Sequence, residues 1–306
     1  MGKELKSQPT RVLSSTTTLG QRVINICQGE IGHVMAKQAD IVVSDRATTC
    51  HVVAVRSTAF PRNASNALVS LCHVDKAGYG GCLRDMIVRH RNDHGSFCDV
   101  ELHIVGGFSD FDGSSLAISE HLLRIFAQIS LEEKDINIIL RTCMVGCLND
   151  DGFGSPIGRG LAMDVHSGSV FLAAVDDTVA GPALVLRASR LWSSTTDRAK
   201  LSTVHTEHCD DFVVEPFNLE TFRGLNVLLS LPDDILLQYT STSPDEEGED
   251  FVKNIRSTLK FLRDNNAEDV FGPNCDSPAR YHRSKDGMRW QEGGPFSCKV
   301  SDDIAS

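Results

Sequence analysis

The sequence feature that most constrains the fold is a series of short apolar runs, each rich in β-branched residues and each as long as one strand. In one of these runs Val100, Leu102 and Ile104 point to one face of the predicted strand. Glu101, His103 and Val105 point to the other face, so the two faces should have different environments. The pair Gly106-Gly107 then ends that strand. The runs predicted as strands are residues 41–44, 51–56, 68–73, 100–105, 136–140, 160–165 and 169–175.

Helical spacing of apolar residues predicts three helices between and after these runs. Residues 113–131 carry an apolar stripe with Ser115 as a candidate cap, and residues 81–92 form a shorter helix. A third helix takes its start signals from residues 243–246 and ends at residues 264–266. Strands and helices mix along the whole chain without a regular βαβ repeat, which predicts a mixed α/β or α+β layer fold in one domain.

The charge balance argues against a nucleic-acid partner. Asp and Glu number 41 against 30 Lys and Arg, a formal net charge of -11, and aromatic residues make up only 6% of the chain. Such a chain repels phosphate backbones and has few rings to stack on bases. Residues 1–11 are polar, unlike a signal peptide, and no apolar run reaches the roughly 20 residues of a membrane span. We therefore expect no membrane partner and a cytoplasmic protein, with the nucleus as a second compartment.

The cysteines are expected to be free thiols. They are scattered along the chain without a Cys-x-x-Cys pair, and an intracellular chain keeps its cysteines reduced. The nearest approach to a zinc site is His205, His208 and Cys209, which lacks a second cluster of matching spacing. A polar surface turn is the preferred interpretation of these three residues, and we predict no metal site and no cofactor.

Cys50 is the cysteine whose surroundings best fit a nucleophile. It follows the small residues Ala47, Thr48 and Thr49 and precedes an apolar strand, so its thiol can be exposed while its backbone is held rigidly. The two threonine hydroxyls can donate hydrogen bonds to nearby backbone or to a substrate oxygen. Taken alone, a free cysteine is more often a small apolar side chain of the core.

His73 supplies a candidate base for this thiol. It ends a predicted strand 23 residues after Cys50, and two adjacent strands joined by a loop would place the two side chains together. A neutral imidazole there can take the thiol proton, and Asp75 or the hydroxyl of Ser44 can orient the ring. The alternative is a histidine at the edge of the core, bonded to a backbone carbonyl. His51 is a weaker candidate because strand alternation points it away from Cys50.

The pair Gly106-Gly107 is the third feature with a chemical interpretation. Two glycines after a strand let the backbone approach a ligand or another segment closely. Their N–H groups can help to hold an oxyanion, and a tight turn without a chemical role explains the pair equally well.

Four stretches, in the same order along the chain, resemble the protein N-terminal asparagine amidohydrolase family. The resemblance divides the chain into a poorly matched segment 1–30, an amidohydrolase domain 31–264 and a polar tail 265–306. The four stretches are residues 44–51, residues 71–75, residues 100–110, and residues 241–244 together with 251–259.

The resemblance implies an αββα-type sandwich similar to the bacterial chemoreceptor glutamine deamidases. Those proteins have a cysteine, a later histidine, a Gly-Gly pair after the next strand, and a hydroxyl six residues before the cysteine, where this chain has Ser44. Cys50 is then the nucleophile, His73 the acid and base, and Ser44 the third catalytic member, ahead of Asp75.

The implied reaction is hydrolysis of the side-chain amide of an N-terminal Asn to Asp, with release of ammonia. The partners are then proteins or peptides with N-terminal Asn, and we expect the enzyme to be a monomer. The new N-terminal Asp would be arginylated and lead to ubiquitin-dependent degradation. A thiol deamidase of internal Gln or Asn, and a non-catalytic scaffold that binds protein N-termini, are the alternatives.

Recognition of a free α-amino group calls for a carboxylate in the pocket, because that amine is cationic below about pH 8. Glu101 ranks first because its strand leads to Gly106-Gly107, and Asp75 and Asp110 are the other candidates. Arg46 departs from the family, which usually has an acidic residue at this position. A cation there would repel the substrate amine.

Overall fold

The computed structural model describes residues 2–58, 66–94, 98–110, 113–151, 155–193, 200–284 and 289–293. The strands in these ranges are β1 (Arg11–Leu13), β2 (Val23–Asn25), β3 (Glu30–Met35), β4 (Ile41–Ala47), β5 (His51–Ser57), β6 (Leu68–Val74), β7 (Cys98–Gly106), β8 (Ile136–Val145), β9 (Arg159–Asp164), β10 (Val170–Val175), β11 (Ser202–His205), β12 (Phe212–Val214), β13 (Ala279–Arg283) and β14 (Trp290–Glu292). The helices are α1 (Gly2–Lys6), α2 (Gly80–His94), α3 (Ser114–Glu132), α4 (Leu184–Ser189), α5 (Leu225–Ser230), α6 (Asp233–Thr240), α7 (Phe251–Asp264) and α8 (Ala267–Phe271).

Two large sheets and one small sheet organise these strands. The five-stranded sheet has the order β1-β10-β9-β4-β2, and the six-stranded sheet has the order β11-β3-β6-β5-β7-β8. In the six-stranded sheet β6, β5 and β7 are antiparallel, whereas β8 runs parallel to β7. The seven predicted strands are confirmed. β8 continues beyond its predicted end because it keeps pairing with β7 as far as Gly106 and Val145.

The alternation predicted for β7 separates two different cores. Val100 and Ile104 belong to a cluster that α2 and α3 build on the outer face of the six-stranded sheet, with Leu83 and Phe126 among the helical members. Val105 belongs instead to the core on the opposite face. The strict two-residue period of the sequence therefore identifies which side chains meet helices and which meet the second sheet.

The largest core fills the space between the two large sheets. Val52 and Leu71 of the six-stranded sheet share this cluster with Val42 and Met163 of the five-stranded sheet. Helix α7 closes it with Leu259 and its neighbours, and the three predicted helices are confirmed. Strands from both sheets thus present one face each to a common apolar interior, which is the arrangement of a sandwich.

The outer face of the five-stranded sheet carries a small separate cluster. Its buried members come from strands only, in the described part of the chain: Leu13, Val23, Ile41, Val43, Ala162, Phe171 and Ala173. The layers defined by buried clusters therefore run helix, sheet, sheet. The mixed α+β class is confirmed. An αββα sandwich has a second helical layer on the outer face of the five-stranded sheet, and no helix of the described residues contributes to the buried cluster on that face.

Two helix starts differ from prediction. Ser115 does not cap α3, because its hydroxyl bonds elsewhere and the carboxylate of Asp110 accepts its backbone N–H at 2.8 Å. The start signals at residues 243–246 form a separate 3-10 turn, Pro244–Glu246, after which Glu247 is extended. Helix α7 begins only at Phe251 and ends as predicted at Asp264.

The tail beyond residue 264 packs on the body as far as it is described. Helix α8 begins with a capping box between Asn266 and Asp269, and Phe271 at its end is fully buried. Strand β13 then pairs with β12. None of the helices in the described ranges has both the length and the hydropathy that crossing a membrane requires.

Candidate active site

Cys50 lies where the chain passes from one large sheet to the other. Strand β4 ends at Ala47 in the five-stranded sheet, Thr48 and Thr49 make the turn, and β5 begins at His51 in the six-stranded sheet. The side chain of Cys50 is half-buried and packs against the core between the sheets. The backbone is therefore fixed on both sides while part of the residue stays accessible.

A bulge in β4 sets the direction of this turn. Ser44 pairs with Leu161 and Ala47 pairs with Arg159, so that three steps along β4 face two steps along β9. Arg46 occupies the bulge with a left-handed φ of 58°. The extra residue lets Ser44 and Ala47 both point into the core, although they are three positions apart.

His73 lies on β6, the strand next to β5. The two strands are antiparallel, and Val52 is the cross-strand partner of His73. Because residues two apart on a strand share a face, Cys50 and His73 lie on the same face of neighbouring strands, one diagonal step apart. The structure thus brings these two predicted residues together.

Ser44 reaches His73 from the opposite sheet. Its Oγ lies 2.8 Å from Nδ1 of His73, and both side chains are buried. The other ring nitrogen, Nε2, has no hydrogen-bond partner within the described residues. The backbone of His73 is held as well, because the N–H of Gly29 donates to its carbonyl at 3.0 Å. One nitrogen is therefore fixed by a hydroxyl, and the other is left to exchange a proton.

Burial disfavours the charged forms of both the thiol and the imidazole. It raises the pKa of Cys50 to about 12, and the negative charge of Asp75 adds to this rise. It lowers the pKa of His73 to about 4, although Asp75 and Glu30 act in the opposite direction. Burial therefore favours the neutral form of each group over a thiolate–imidazolium pair.

The segment 241–247 covers one side of the turn that carries Cys50. The hydroxyl of Ser243 donates to Oγ1 of Thr48 at 3.0 Å, and Oγ1 of Thr242 lies 3.4 Å from Oγ1 of Thr49. The Thr49 hydroxyl also lies 4.0 Å from the sulfur of Cys50. Thr49 thus borders the thiol, and both threonines hold segment 241–247, which is far away in sequence, against this turn.

Gly106 and Gly107 pack the end of β7 against the start of β5, next to Cys50. Their φ angles are 121° and 67°, which glycine adopts without strain. A Cβ at Gly106 would collide with the carbonyl oxygen of Cys50, and a Cβ at Gly107 would collide with the ring of His51. The N–H of Gly107 donates to the Cys50 carbonyl at 2.8 Å, so it is engaged within the protein rather than turned toward a substrate.

Asn149 holds this glycine turn in place. Its buried amide nitrogen lies 2.9 Å from the carbonyls of both Gly106 and Gly107 and 2.7 Å from that of Met144. Sequence reasoning missed Asn149, because an asparagine before two aspartates is an ordinary turn signal with nothing that connects it to Gly106-Gly107.

Two of the three carboxylates considered for the α-amine lie away from the thiol or serve the fold. Glu101 pairs with Arg56 across the strands, five positions before Gly106 and thus about 17 Å along β7. Its carboxylate forms an ion pair with Arg141 at 2.8 Å. Asp110 accepts the N–H of Ser115 at the start of α3.

Asp75 follows β6 directly, and its negative charge acts on the thiol of Cys50. Its two carboxylate oxygens accept hydrogen bonds from the hydroxyl of Tyr79 at 2.7 Å and from the amide of Gln28 at 3.3 Å. The ammonium of Lys76 lies 3.9 Å away. Asp75 is therefore near the site, but both of its oxygens are already engaged.

The surface turn predicted at His205, His208 and Cys209 contains only His208 and Cys209, because His205 ends β11 and is buried. Nδ1 of His205 shares a hydrogen bond of 3.0 Å with the carbonyl of His33, while His208 and Cys209 are exposed. A bridge between Thr206 and Cys209 closes the turn. Within the described ranges no group of three or more possible metal ligands is found.

A cysteine and a histidine on neighbouring strands, with one imidazole nitrogen held by a hydroxyl, form the arrangement used by hydrolases with a cysteine nucleophile. The chain belongs to the protein N-terminal asparagine amidohydrolase family, whose model matches residues 13–292. The family predicted from four short stretches is therefore confirmed. The match begins inside the segment 1–30 and ends inside the tail 265–306.

Relatives from animals and a plant are similar over most of their length. The protein N-terminal asparagine amidohydrolase of Homo sapiens is 29% identical over 283 residues, which cover 89% of this chain and 84% of the human protein. The protein of the same name from Mus musculus is 28% identical over 280 residues, with the same coverage of 89% and 84%. That from Arabidopsis thaliana is 24% identical over 273 residues, covering 81% of this chain and 75% of the plant protein.

Proposed function

We propose that this chain hydrolyses the side-chain amide of an N-terminal Asn in proteins and peptides, giving Asp and ammonia. Cys50 is the nucleophile, His73 is the acid and base, and Ser44 orients the imidazole. The observation that carries the proposal is the hydrogen bond of 2.8 Å between Ser44 and Nδ1 of a buried His73, with Cys50 on the same face of the next strand. Membership of the amidohydrolase family supports the choice of substrate.

The reaction starts from the neutral pair. Nδ1–H of His73 donates to Ser44, so Nε2 carries the lone pair that takes the proton of the Cys50 thiol. The sulfur then forms a bond to the carboxamide carbon, and the amide oxygen becomes an oxyanion. His73 returns the proton to the nitrogen, the C–N bond breaks, and ammonia leaves a thioester.

The second half of the reaction consumes one water. Neutral His73 takes a proton from that water, the hydroxide attacks the thioester carbon, and the sulfur leaves to recover its proton. The Thr49 hydroxyl, 4.0 Å from the sulfur, is the side-chain donor placed to stabilise the oxyanion. Gly107 instead keeps the strand in position, since its N–H already bonds the Cys50 carbonyl.

The resemblance to chemoreceptor glutamine deamidases enters the proposal through spacing. Ser44, Cys50, His73 and Gly106-Gly107 occur in the order that those enzymes have, and no metal or cofactor is needed for the chemistry. In a cell the new N-terminal Asp would mark its protein for arginylation and ubiquitin-dependent degradation, in the cytoplasm or the nucleus.

The proposal is tested with three peptides that differ only at their start: Asn, Gln and acetyl-Asn. Mass spectrometry follows the replacement of the amide NH2 by OH, and ammonia release is measured in parallel. We expect conversion of the free N-terminal Asn peptide alone, and loss of conversion in Cys50→Ala and His73→Ala.

Equal conversion of acetyl-Asn would instead indicate a deamidase of internal side chains. Binding of the Asn peptide without conversion would indicate a scaffold. Activity that survives Cys50→Ala would rule out the thiol mechanism.

A further inference from the structure

The position of the reacting carbon limits where the α-amino group of the substrate can bind. In asparagine only three bonds separate the carboxamide carbon from the α-nitrogen. A carboxylate that binds the α-ammonium must therefore border Cys50 itself, and Glu101, about 17 Å up the strand from Gly106, lies too far away. Two carboxylates, Asp75 and Glu247, act on the thiol through their charge.

Asp75 is the less suitable of the two. The hydrogen bonds from Tyr79 and Gln28 engage both of its oxygens, and the ammonium of Lys76 lies 3.9 Å away. A substrate ammonium would have to displace one of these donors to reach it. Asp75 thus resembles a structural carboxylate that links β6 to the start of α2.

Glu247 is half-buried and has one carboxylate oxygen that is not engaged by the described part of the protein. The hydroxyl of Ser241 donates to its Oε1 at 2.5 Å, and its Oε2 has no hydrogen bond from the described residues. The segment from Ser241 to Glu247 is anchored on the turn of the nucleophile through Ser243 and Thr48. Partial burial raises the pKa of Glu247, as expected for a carboxylate that lacks a close cation.

We propose that Glu247 is the residue that selects substrates with a free N-terminus, by binding their α-ammonium group through Oε2. This inference rests on the proposed function. The unpartnered Nε2 of buried His73 marks the place of the reacting amide. Glu247 then binds the α-ammonium end of the same substrate asparagine. The asparagine thus lies between Cys50 and His73 on one side and segment 241–247 on the other.

Arg46 opposes this binding. It is exposed in the β4 bulge and forms an ion pair of 3.9 Å with Asp45, and its positive charge also acts on Glu247. A cation at this position partly neutralises the charge of the Glu247 carboxylate and repels the substrate ammonium. Removal of Arg46 should therefore strengthen binding of a free N-terminus, whereas removal of the Glu247 charge should weaken it.

The test compares Glu247→Gln with Glu246→Gln, which removes the same charge from the exposed neighbouring turn. Glutamine keeps a carbonyl oxygen that can accept the Ser241 hydrogen bond, so segment 241–247 can keep its shape. For a peptide that starts with free Asn, we expect Glu247→Gln to raise KM about 10- to 100-fold, the size of a charge-assisted hydrogen bond. We expect Glu246→Gln to leave KM unchanged and Arg46→Gln to lower it.

Binding to the Cys50→Ala background gives a second readout that does not depend on turnover. The affinity for the free Asn peptide should fall when Glu247→Gln is added, while the weak affinity for acetyl-Asn should not change. Equal KM and equal affinity in Glu247→Gln and wild type would overturn the assignment of Glu247. A wild-type protein that converts no N-terminal Asn would overturn the proposed function itself, which is a distinct result.

Discussion

The substitution Ser44→Ala isolates the contact that joins the two sheets at the site. Ser44 is fully buried, and its hydroxyl is the partner of Nδ1 of His73 at 2.8 Å. Alanine removes one oxygen and leaves the ring nitrogen buried without this partner. The neighbouring strands and the position of Cys50 on the next strand are left as they are.

The expected loss has a structural part and a catalytic part. Leaving a buried donor unpaired costs about 1–3 kcal/mol in the free energy of unfolding. In the reaction His73 becomes an imidazolium, and a hydrogen bond from a charged donor is worth about 1–2 kcal/mol more than one from a neutral donor. That difference predicts a fall in kcat of about 5- to 30-fold, with little change in KM.

The matched control is Ser57→Ala, which removes a hydrogen bond of 2.6 Å between buried Ser57 and Nδ1 of His90. Ser57 lies at the other end of the same strand that begins beside Cys50. We expect a similar loss of stability in urea unfolding but an unchanged kcat in the ammonia-release assay. Equal kcat for Ser44→Ala and wild type, or an equal loss of kcat in Ser57→Ala, would refute the orienting role of Ser44.

Three further predictions concern the frame of the site. Gly107→Ala should lower stability by about 2–4 kcal/mol, because its Cβ would meet the ring of His51 at a φ of 67°; thermal unfolding of this variant at the wild-type temperature would contradict it. Asn149→Ala should destabilise the protein by about 2–4 kcal/mol, because it removes the buried amide that bonds to the carbonyls around the glycine turn. Urea midpoints measure this loss, and a change below about 0.5 kcal/mol would argue against the role. Lowering the pH from 7 to 5 should reduce the free energy of unfolding by about 2 kcal/mol for each of His33 and His73. Burial lowers their pKa values to about 3 and about 4, so at pH 5 the unfolded chain binds more protons than the folded chain. A urea midpoint equal at both pH values would contradict this prediction.

The sequence predicted the strands and helices that repeat a simple period. The alternation along β7 and the apolar stripes of α2, α3 and α7 each have one face in a core, so burial and sequence pattern coincide. The elements that these patterns did not predict are the strands β1, β2, β3 and β11 to β14 and the helices α1, α4, α5, α6 and α8. The apolar run at residues 180–186 is as short as a strand but leads into α4. A run of this length has no period that distinguishes a buried strand from a buried helix.

The site was predictable where its members lie on consecutive strands. Cys50 and His73 follow from two neighbouring strands and the loop between them, which is local information. The choice of Ser44 over Asp75 came from the family resemblance, since the contact of Ser44 with His73 crosses between sheets. The ranking of Glu101 used only its position in the strand before Gly106-Gly107. That strand, β7, has nine residues, which is long enough to place the Glu101 carboxylate far from the glycine pair.

The role proposed for Glu247 illustrates why a specificity residue is harder to predict than a nucleophile. A nucleophile needs a rigid neighbour that takes its proton, and adjacent strands supply one at short range along the chain. A residue in a pocket wall needs only to border the substrate, so it can come from any segment that packs there. In this chain the proposed residue, Glu247, lies almost 200 residues after Cys50. The hydroxyl-to-hydroxyl contacts between Thr48 and Ser243 and between Thr49 and Thr242 are what join the two. Substitutions in segment 241–247 should therefore change which N-terminus is accepted before they change the chemistry at Cys50.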